Sequence, residues 1–182
     1  MLSIALKACI MPAEYGYGRL LHCDSVKAGS ADGFVMNSLI DMYAKAGDLE
    51  CAHNMFERIP DRNVVFWTSM LSGCVQNGFA ADGLFLFNQM RRESVQPSEY
   101  TMASVLAACS ALDSLHQGRW IHGSVIKHDL ICNSFISASL LDMYVKCGEV
   151  EDARRVFDEL SYVDIVLWTT MTVGVRTEWE PS

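Results

Sequence analysis

Apolar residues in this chain gather into segments of about 11 to 14 residues, divided by short breaks that carry Gly, Asp and Pro. The segments predict helices over about 2–10, 14–28, 34–45, 48–58, 65–77, 80–93, 100–111, 114–128, 135–146 and 149–159, with a further start at 166. In residues 34–45 the apolar set Phe34, Leu39, Ile40, Met42 and Tyr43 has mixed spacing, as expected of a helix packed between neighbouring helices. The breaks carry capping chemistry. Ala46-Gly47-Asp48 and Cys147-Gly148-Glu149 each put a glycine at a helix end and an acid in the first turn of the next helix, where the helix dipole favours negative charge. Lys45 and Lys146 stand in the last turn of the preceding helix, where a cation is favoured, and Pro60 and Pro97 act as stop signals.

The same pattern occurs twice. Residues 34–45, FVMNSLIDMYAK, align at an offset of 101 with residues 135–146, FISASLLDMYVK. The match continues through Gly47/Gly148, Glu50/Glu151, Ala52/Ala153, Phe56/Phe157, Val65/Val166, Trp67/Trp168, Thr68/Thr169 and Met70/Met171. Upstream the offset becomes 100, pairing Leu6/Leu106, Ala8/Ala108, Cys9/Cys109, Gly18/Gly118, Arg19/Arg119, His22/His122 and Lys27/Lys127. One residue was gained or lost between Lys27 and Phe34, where a loop is expected. A single helix pair cannot bury its apolar face, so each unit must use its neighbours. The expected fold is all-α, a right-handed superhelical solenoid of stacked helix-turn-helix repeats with a concave groove; the handedness is that expected of this class of array.

Composition narrows the chemistry. With 182 residues, 51% hydrophobic, 20% charged and four prolines, the chain is long and apolar enough for a core and is not of low complexity. The formal charge of −8 gives no general attraction for phosphates, so nucleic-acid binding needs a local face that differs from the whole. Mean hydropathy is +0.15, yet the longest uncharged stretch, residues 63–81, contains Asn63, Thr68, Ser69, Ser72, Gly73, Gln76, Asn77 and Gly78 and is not a membrane span. Seven cysteines without a CxxC pair read as reduced thiols and not as a zinc site. No secretory or transit segment is visible.

Unit lengths alternate: 33–63 and 134–164 have 31 residues, 64–98 and 99–133 have 35. The motifs Asp41-Met42-Tyr43-Ala44-Lys45-Ala46-Gly47 and Asp142-Met143-Tyr144-Val145-Lys146-Cys147-Gly148 mark short units. Asn63-Val64-Val65-Phe66-Trp67-Thr68 followed by Gln76-Asn77-Gly78 marks a standard one, and Val105-Leu106-Ala107-Ala108-Cys109 with Gly118-Arg119-Trp120-Ile121-His122 a long one. On these residues the chain resembles the plant pentatricopeptide repeat family, in its subclass of alternating long, short and standard repeats. The corresponding division is an incomplete long repeat at 1–32, a short one at 33–63, a standard one at 64–98, a long one at 99–133, a short one at 134–164, and a truncated standard repeat with an aberrant tail at 165–182.

The resemblance implies a module that wraps single-stranded RNA in the groove lined by the first helix of each pair, about one base per repeat. It implies part of an organelle RNA-editing or processing factor, in mitochondrion or chloroplast, working with other RNA-editing factors and taking no DNA, membrane, metal or cofactor. The fifth and last residues of a repeat would choose the base, and an apolar second residue would wedge between bases. The fifth residues are Ser3, Asn37, Thr68, Ala103, Ala138 and Thr169; the last are Asp32, Asn63, Ser98, Asn133 and Asp164; the wedges are Phe34, Val65, Tyr100, Phe135 and Val166. Asn37 and Asn63 each offer a donor and an acceptor, a pair suited to a pyrimidine. Thr68 with Ser98 leans toward purines, while Ala138 leaves Asp164 to act alone and Ala103 reads nothing.

Other readings stand beside these. Asn37 and Thr68 can instead make local helix-side hydrogen bonds. Trp67 and Trp168 resemble stacking platforms, but their apolar neighbours make them packing residues. His22/His122 and Cys9/Cys109 recur at fixed positions and read as structural, and Arg91-Arg92 as a solvated helix end. No H-x-E with a later C-x-x-C is present for zinc deamination, and Gly16-Tyr17-Gly18 lacks the third glycine of a dinucleotide fingerprint, so no catalysis is expected. Met1 falls at position three of its repeat and the sequence after Met171 leaves the pattern, which suggests a piece of a longer product. A protein-interaction scaffold using the same groove, favoured by the acidic balance, is the second reading, and a fragment without function of its own the third.

Overall fold

A computed structural model describes residues 15–27, 32–128, 130–131, 133–160 and 163–178. The expected helix at 2–10, with Ser3 and Cys9, lies outside these residues. Among the described residues there are ten helices: α1 (Tyr15–Lys27), α2 (Gly33–Lys45), α3 (Leu49–Glu57), α4 (Val64–Gln76), α5 (Ala80–Arg92), α6 (Glu99–Ala111), α7 (Leu115–Lys127), α8 (Ser134–Lys146), α9 (Val150–Glu159) and α10 (Ile165–Glu178). They divide into two compact units between Gln96 and Pro97.

In the first unit α2 packs on α3 and α4, and α4 on α5. Its core joins Leu39, Ile40 and Met42 of α2, Ala52 and Phe56 of α3, Phe66, Trp67 and Met70 of α4, and Leu86 and Met90 of α5. In the second unit α6 packs on α7 and α8, and α8 on α9 and α10. There the buried residues include Met102, Val105, Leu106, Ile121, Val125, Ile136, Leu140, Leu141, Val156 and Leu167. Burial explains the two sequence textures. A helix flanked on several sides buries seven residues of thirteen, as α2 does, and shows no clean stripe. α9 buries only Val150, Ala153 and Val156 and gives its other face to Glu151, Arg154, Arg155 and Asp158.

Gly47 and Gly148 have φ of +85° and +74°, the left-handed conformation in which a side chain is strained. The acids after them stand one position earlier than expected. Asp48 is the N-cap of α3, accepting from the Cys51 N–H at 3.0 Å, and also accepts the Tyr15 hydroxyl. Glu149 holds the N-cap of α9 without a side-chain bond to the helix N–H groups. Lys45 and Lys146 close their helices on Asp41 and Asp142, four residues back, at 2.9 and 2.7 Å.

The approach of α2 to α4 depends on small residues. A Cβ on Gly73 would lie 2.4 Å from the Ala44 Cβ. Beside this contact the Asn77 amide donates to the carbonyls of Ala44 and Gly73 at 2.7 and 2.8 Å, tying the end of α4 to that of α2. Gly73→Ala should therefore lower stability by about 1–3 kcal/mol through overpacking, although alanine is favoured over glycine in a helix by about 1 kcal/mol. A urea midpoint that rises would show that α2 and α4 can separate freely.

Candidate nucleic-acid interface

Each unit builds its own part of the candidate site from the first turns of its first helices, α2 and α4 in the first unit and α6, α8 and α10 in the second. The residue before each of these helices is Asp32, Asn63, Ser98, Asn133 or Asp164, and each is engaged in capping. Asp32 accepts from the Val35 N–H at 2.9 Å, Asn63 from Val65 and Phe66, Asn133 from Phe135 and Ile136, and Asp164 from Val166 and Leu167. Ser98 makes a capping box with Thr101. The structural duty of these last residues was legible in their type, since Asp, Asn and Ser before an apolar run are N-cap formers, but the sequence reading assigned them to bases alone.

Capping sets the register of each helix. The second residue of each first helix points away from the core in both units: Phe34 is 81% exposed, and Val65, Tyr100, Phe135 and Val166 are each more than half exposed. In the second unit the rings of Tyr100 and Phe135 touch, with centroids 5.7 Å apart.

The fifth residues are already partly engaged. Asn37 accepts the Ser69 hydroxyl of α4 through Oδ1 at 3.0 Å, which leaves its amide nitrogen as donor. Thr68 and Thr169 donate to the carbonyls of Val64 and Ile165 at 2.7 Å, so any further bond uses the hydroxyl oxygen as acceptor. These are the local helix-side bonds that the sequence allowed. Ala103 is buried and Ala138 half-buried. Asn133 spends its amide on Glu99 at 3.1 Å, in addition to its cap. In the second unit a groove of about 640 Å³ between α8 and α10 brings Val166 and Thr169 together with Lys146, Asp142 and Val173.

The two tryptophans differ. Trp67 is 1% exposed and meets Phe56 edge-on at 4.8 Å, under the Arg62 guanidinium and in the core shared with α5. Trp168 makes the same edge contact with Phe157 at 4.9 Å but is 57% exposed. Packing thus describes Trp67 and only one edge of Trp168; among the described residues no helix follows α10 to cover the rest. Arg91 lies in the last turn of α5, 6.0 Å from the Phe87 ring centroid.

Among the described residues no group of His, Cys, Asp and Glu is placed to hold a metal ion, and no helix is long and apolar enough to cross a membrane. Cys74 and Cys109 are buried, which pushes each thiol up to about 11 and keeps it protonated.

The PPR repeat family model matches residues 62–111, and the PPR repeat model matches 34–64 and 132–162, together more than half of the chain. The chain belongs to the pentatricopeptide repeat family. A mitochondrial pentatricopeptide repeat-containing protein of Arabidopsis thaliana is 49% identical over 172 residues, 94% of this chain and 25% of its own length. A chloroplastic one from the same plant is 38% identical over 174 residues, 95% of this chain and 22% of its own. The chain therefore spans about a quarter of the length of these relatives. Among solved structures it is similar to the maize pentatricopeptide repeat protein PPR10, with TM-score 0.67 and 17% identity over 98% of this chain and 25% of that one. PPR10 in complex with an 18-nucleotide psaJ RNA element gives TM-score 0.72 and 18% identity over 95% and 25%. The fold is thus an all-α solenoid of stacked helix-turn-helix repeats.

One recurrent contact of these pentatricopeptide repeats went unseen in the sequence. The imidazole Nδ1 of His22 on α1 lies 2.8 Å from the Tyr43 hydroxyl on α2, and His122 on α7 lies 2.9 Å from Tyr144 on α8. Each pair also meets edge-on, at 5.6 and 5.7 Å. Both tyrosines lie in the repeated Asp-Met-Tyr motif, so the recurrence of His 21 or 22 residues before them was a usable signal. Burial holds both histidines below their usual pKa; Arg58 adds to this at His22, while Glu159 and Asp152 oppose it at His122.

A depressed histidine pKa means that the unfolded chain takes up protons before the folded one does. The histidine contribution to stability should hold level above about pH 7 and be lost as pH drops below about 6.5. In urea titrations at stepped pH, the double change His22→Asn and His122→Asn should flatten the slope between about pH 6.5 and 5; an unchanged slope would place its origin in other groups.

Proposed function

We propose that this chain binds single-stranded RNA along the face of its first helices, as part of an organelle RNA-editing or processing factor. The observation that carries the reading is the apolar second residue left exposed in the same register on all five first helices, Phe34, Val65, Tyr100, Phe135 and Val166. Apolar side chains kept in water gain little for the fold, whereas Phe34, Val65 and Val166 can each insert beside a base, and an aromatic ring such as that of Phe34 gains about 1–3 kcal/mol by stacking. The binding of RNA by PPR10, of the same fold, supports this reading, and the organellar names of the relatives support the compartment. The module binds and does not catalyse.

Base choice follows from how the fold engages each polar atom. Asn37 and Asn63 both present amide donors after their oxygens have bonded Ser69 and the cap. Two donors match the carbonyl acceptors of a pyrimidine edge. Thr169, its hydroxyl hydrogen spent on the Ile165 carbonyl, acts as an acceptor and favours a base with an amino group. Asp164 spends Oδ1 on its cap, and Ala138 has no polar side-chain atom to act with the other carboxylate oxygen. The contact of Tyr100 with Phe135 leaves the long unit without room for a base between them, in keeping with Ala103.

Because Phe34 is almost fully exposed, Phe34→Ala should leave stability within about 0.5 kcal/mol and weaken RNA binding about fivefold or more. Fluorescence anisotropy with degenerate single-stranded RNA, beside circular dichroism, reads both. Unchanged affinity would remove the wedge role.

The charges of this face predict the salt response. On the described side chains of the first helices the cations are Lys45 and Lys146, each held by an aspartate. With at most two phosphates neutralised, log K against log salt should have a slope no steeper than about −1.5. A slope beyond about −3 would put the RNA on another, more basic surface.

A further inference from the structure

We propose that the groove between α3 and α5, on the second helices of the first unit, docks an amphipathic helix of a protein partner that carries lysine or arginine beside its apolar stripe. The groove holds about 860 Å³ and is floored by Met70 and Cys74 of α4 with Leu49 and Leu86 on its sides. Phe79 and Phe85 line it and are 53% and 58% exposed. The second helix α9 turns charged residues to water, whereas here two exposed phenylalanines stand over an apolar floor.

The rim selects the partner. Its carboxylates are Asp48, Glu50, Glu57 and Asp82, and no Lys or Arg lines the groove. The cations nearby are few. Arg62 reaches Glu57 and Glu93, both at 3.4 Å, and His53 lies 3.9 Å from Glu57. Asp48 is occupied by the Cys51 N–H and the Tyr15 hydroxyl. Glu50 and Asp82, both exposed, pair with no cation among the described residues. The patch repels RNA and complements a cationic ligand. A trough between two helices, without a sheet edge to extend, takes a helix through apolar anchors at i, i+3, i+4 and i+7. Leucine-like anchors would meet Phe79, Phe85 and Leu86, with flanking cations at Glu50 and Asp82.

The long-to-short junction of the second unit is different. There Arg119 of α7 crosses to Glu149 and Asp152 at 3.4 and 2.8 Å, so those acids are paired with a cation of the chain itself, unlike Glu50 and Asp82. Between α3 and α5 the bridging is confined to Arg62 at one end.

The test uses the full chain and a labelled 18-residue Leu/Lys amphipathic peptide, with a Leu/Glu peptide of the same pattern as control. Anisotropy should show saturable binding of the Leu/Lys peptide alone, unaffected by saturating single-stranded RNA and weakened at least fivefold by Phe85→Asp or by Glu50→Lys with Asp82→Lys. Asp158→Lys with Glu159→Lys on α9, an equal change of charge elsewhere, should leave it unaltered. Circular dichroism must show the same helix content in every variant, and Phe85→Ala serves if Phe85→Asp does not fold. Equal loss from the α9 variant, or no loss from the groove variants, overturns the proposal. Sedimentation showing a dimer that Phe85→Asp dissolves would also overturn it, by making a second copy the occupant. Because peptide binding is read without RNA, its failure is distinct from failure of the RNA reading.

Discussion

The start of each first helix is the constraint on which the rest depends. An α-helix leaves its first N–H groups without partners, and here the final residue of the preceding unit supplies the acceptor, whether Asp32, Asn63, Ser98, Asn133 or Asp164. Such a cap contributes about 1 kcal/mol, but its larger effect is positional. It sets where the helix begins, and so which residue faces water in the first turn and which faces the next helix. Phe34 and Phe135 are exposed, and Leu39 and Leu140 buried, because the same register follows from the same cap.

This ties architecture to recognition more closely than separate sets of structural and binding residues would. Asn63 spends its oxygen on the backbone and offers its amide; Asn37 spends its oxygen on Ser69 of the neighbouring helix. The fold thereby decides which half of each amide can meet a base. A change at a last residue alters a helix cap and a base contact together, whereas a change at an exposed second residue leaves the core alone.

The two kinds of helix also divide the surface chemically. First helices are flanked on several sides and expose short runs of Ser, Thr, Asn and single apolar residues, with each lysine neutralised by its own aspartate. Among the described residues, second helices carry more acids than first helices, and the groove between α3 and α5 combines acids with exposed aromatic rings. An acidic chain can thus keep one face nearly neutral toward phosphates and reserve its negative charge for another.

The sequence alone determined the helical repeats, because alternation of apolar segments, glycines past helix ends and the recurring Asp-Met-Tyr motifs are local signals with local causes. It also marked Phe34 and Phe135, and Val65 and Val166, as equivalent pairs through the internal alignment. Hydrogen bonding between helices was not legible, because partners such as Ser69 for Asn37 or Tyr43 for His22 lie on another helix and meet only when helices stack. Trp67 and Trp168 show the same limit: identical positions in aligned segments, one covered and one exposed, because cover comes from the next helix. The groove of α3 and α5 was equally hidden, since Glu50, Asp82, Phe79 and Phe85 share no periodicity and are gathered only by the spacing of two separate helices.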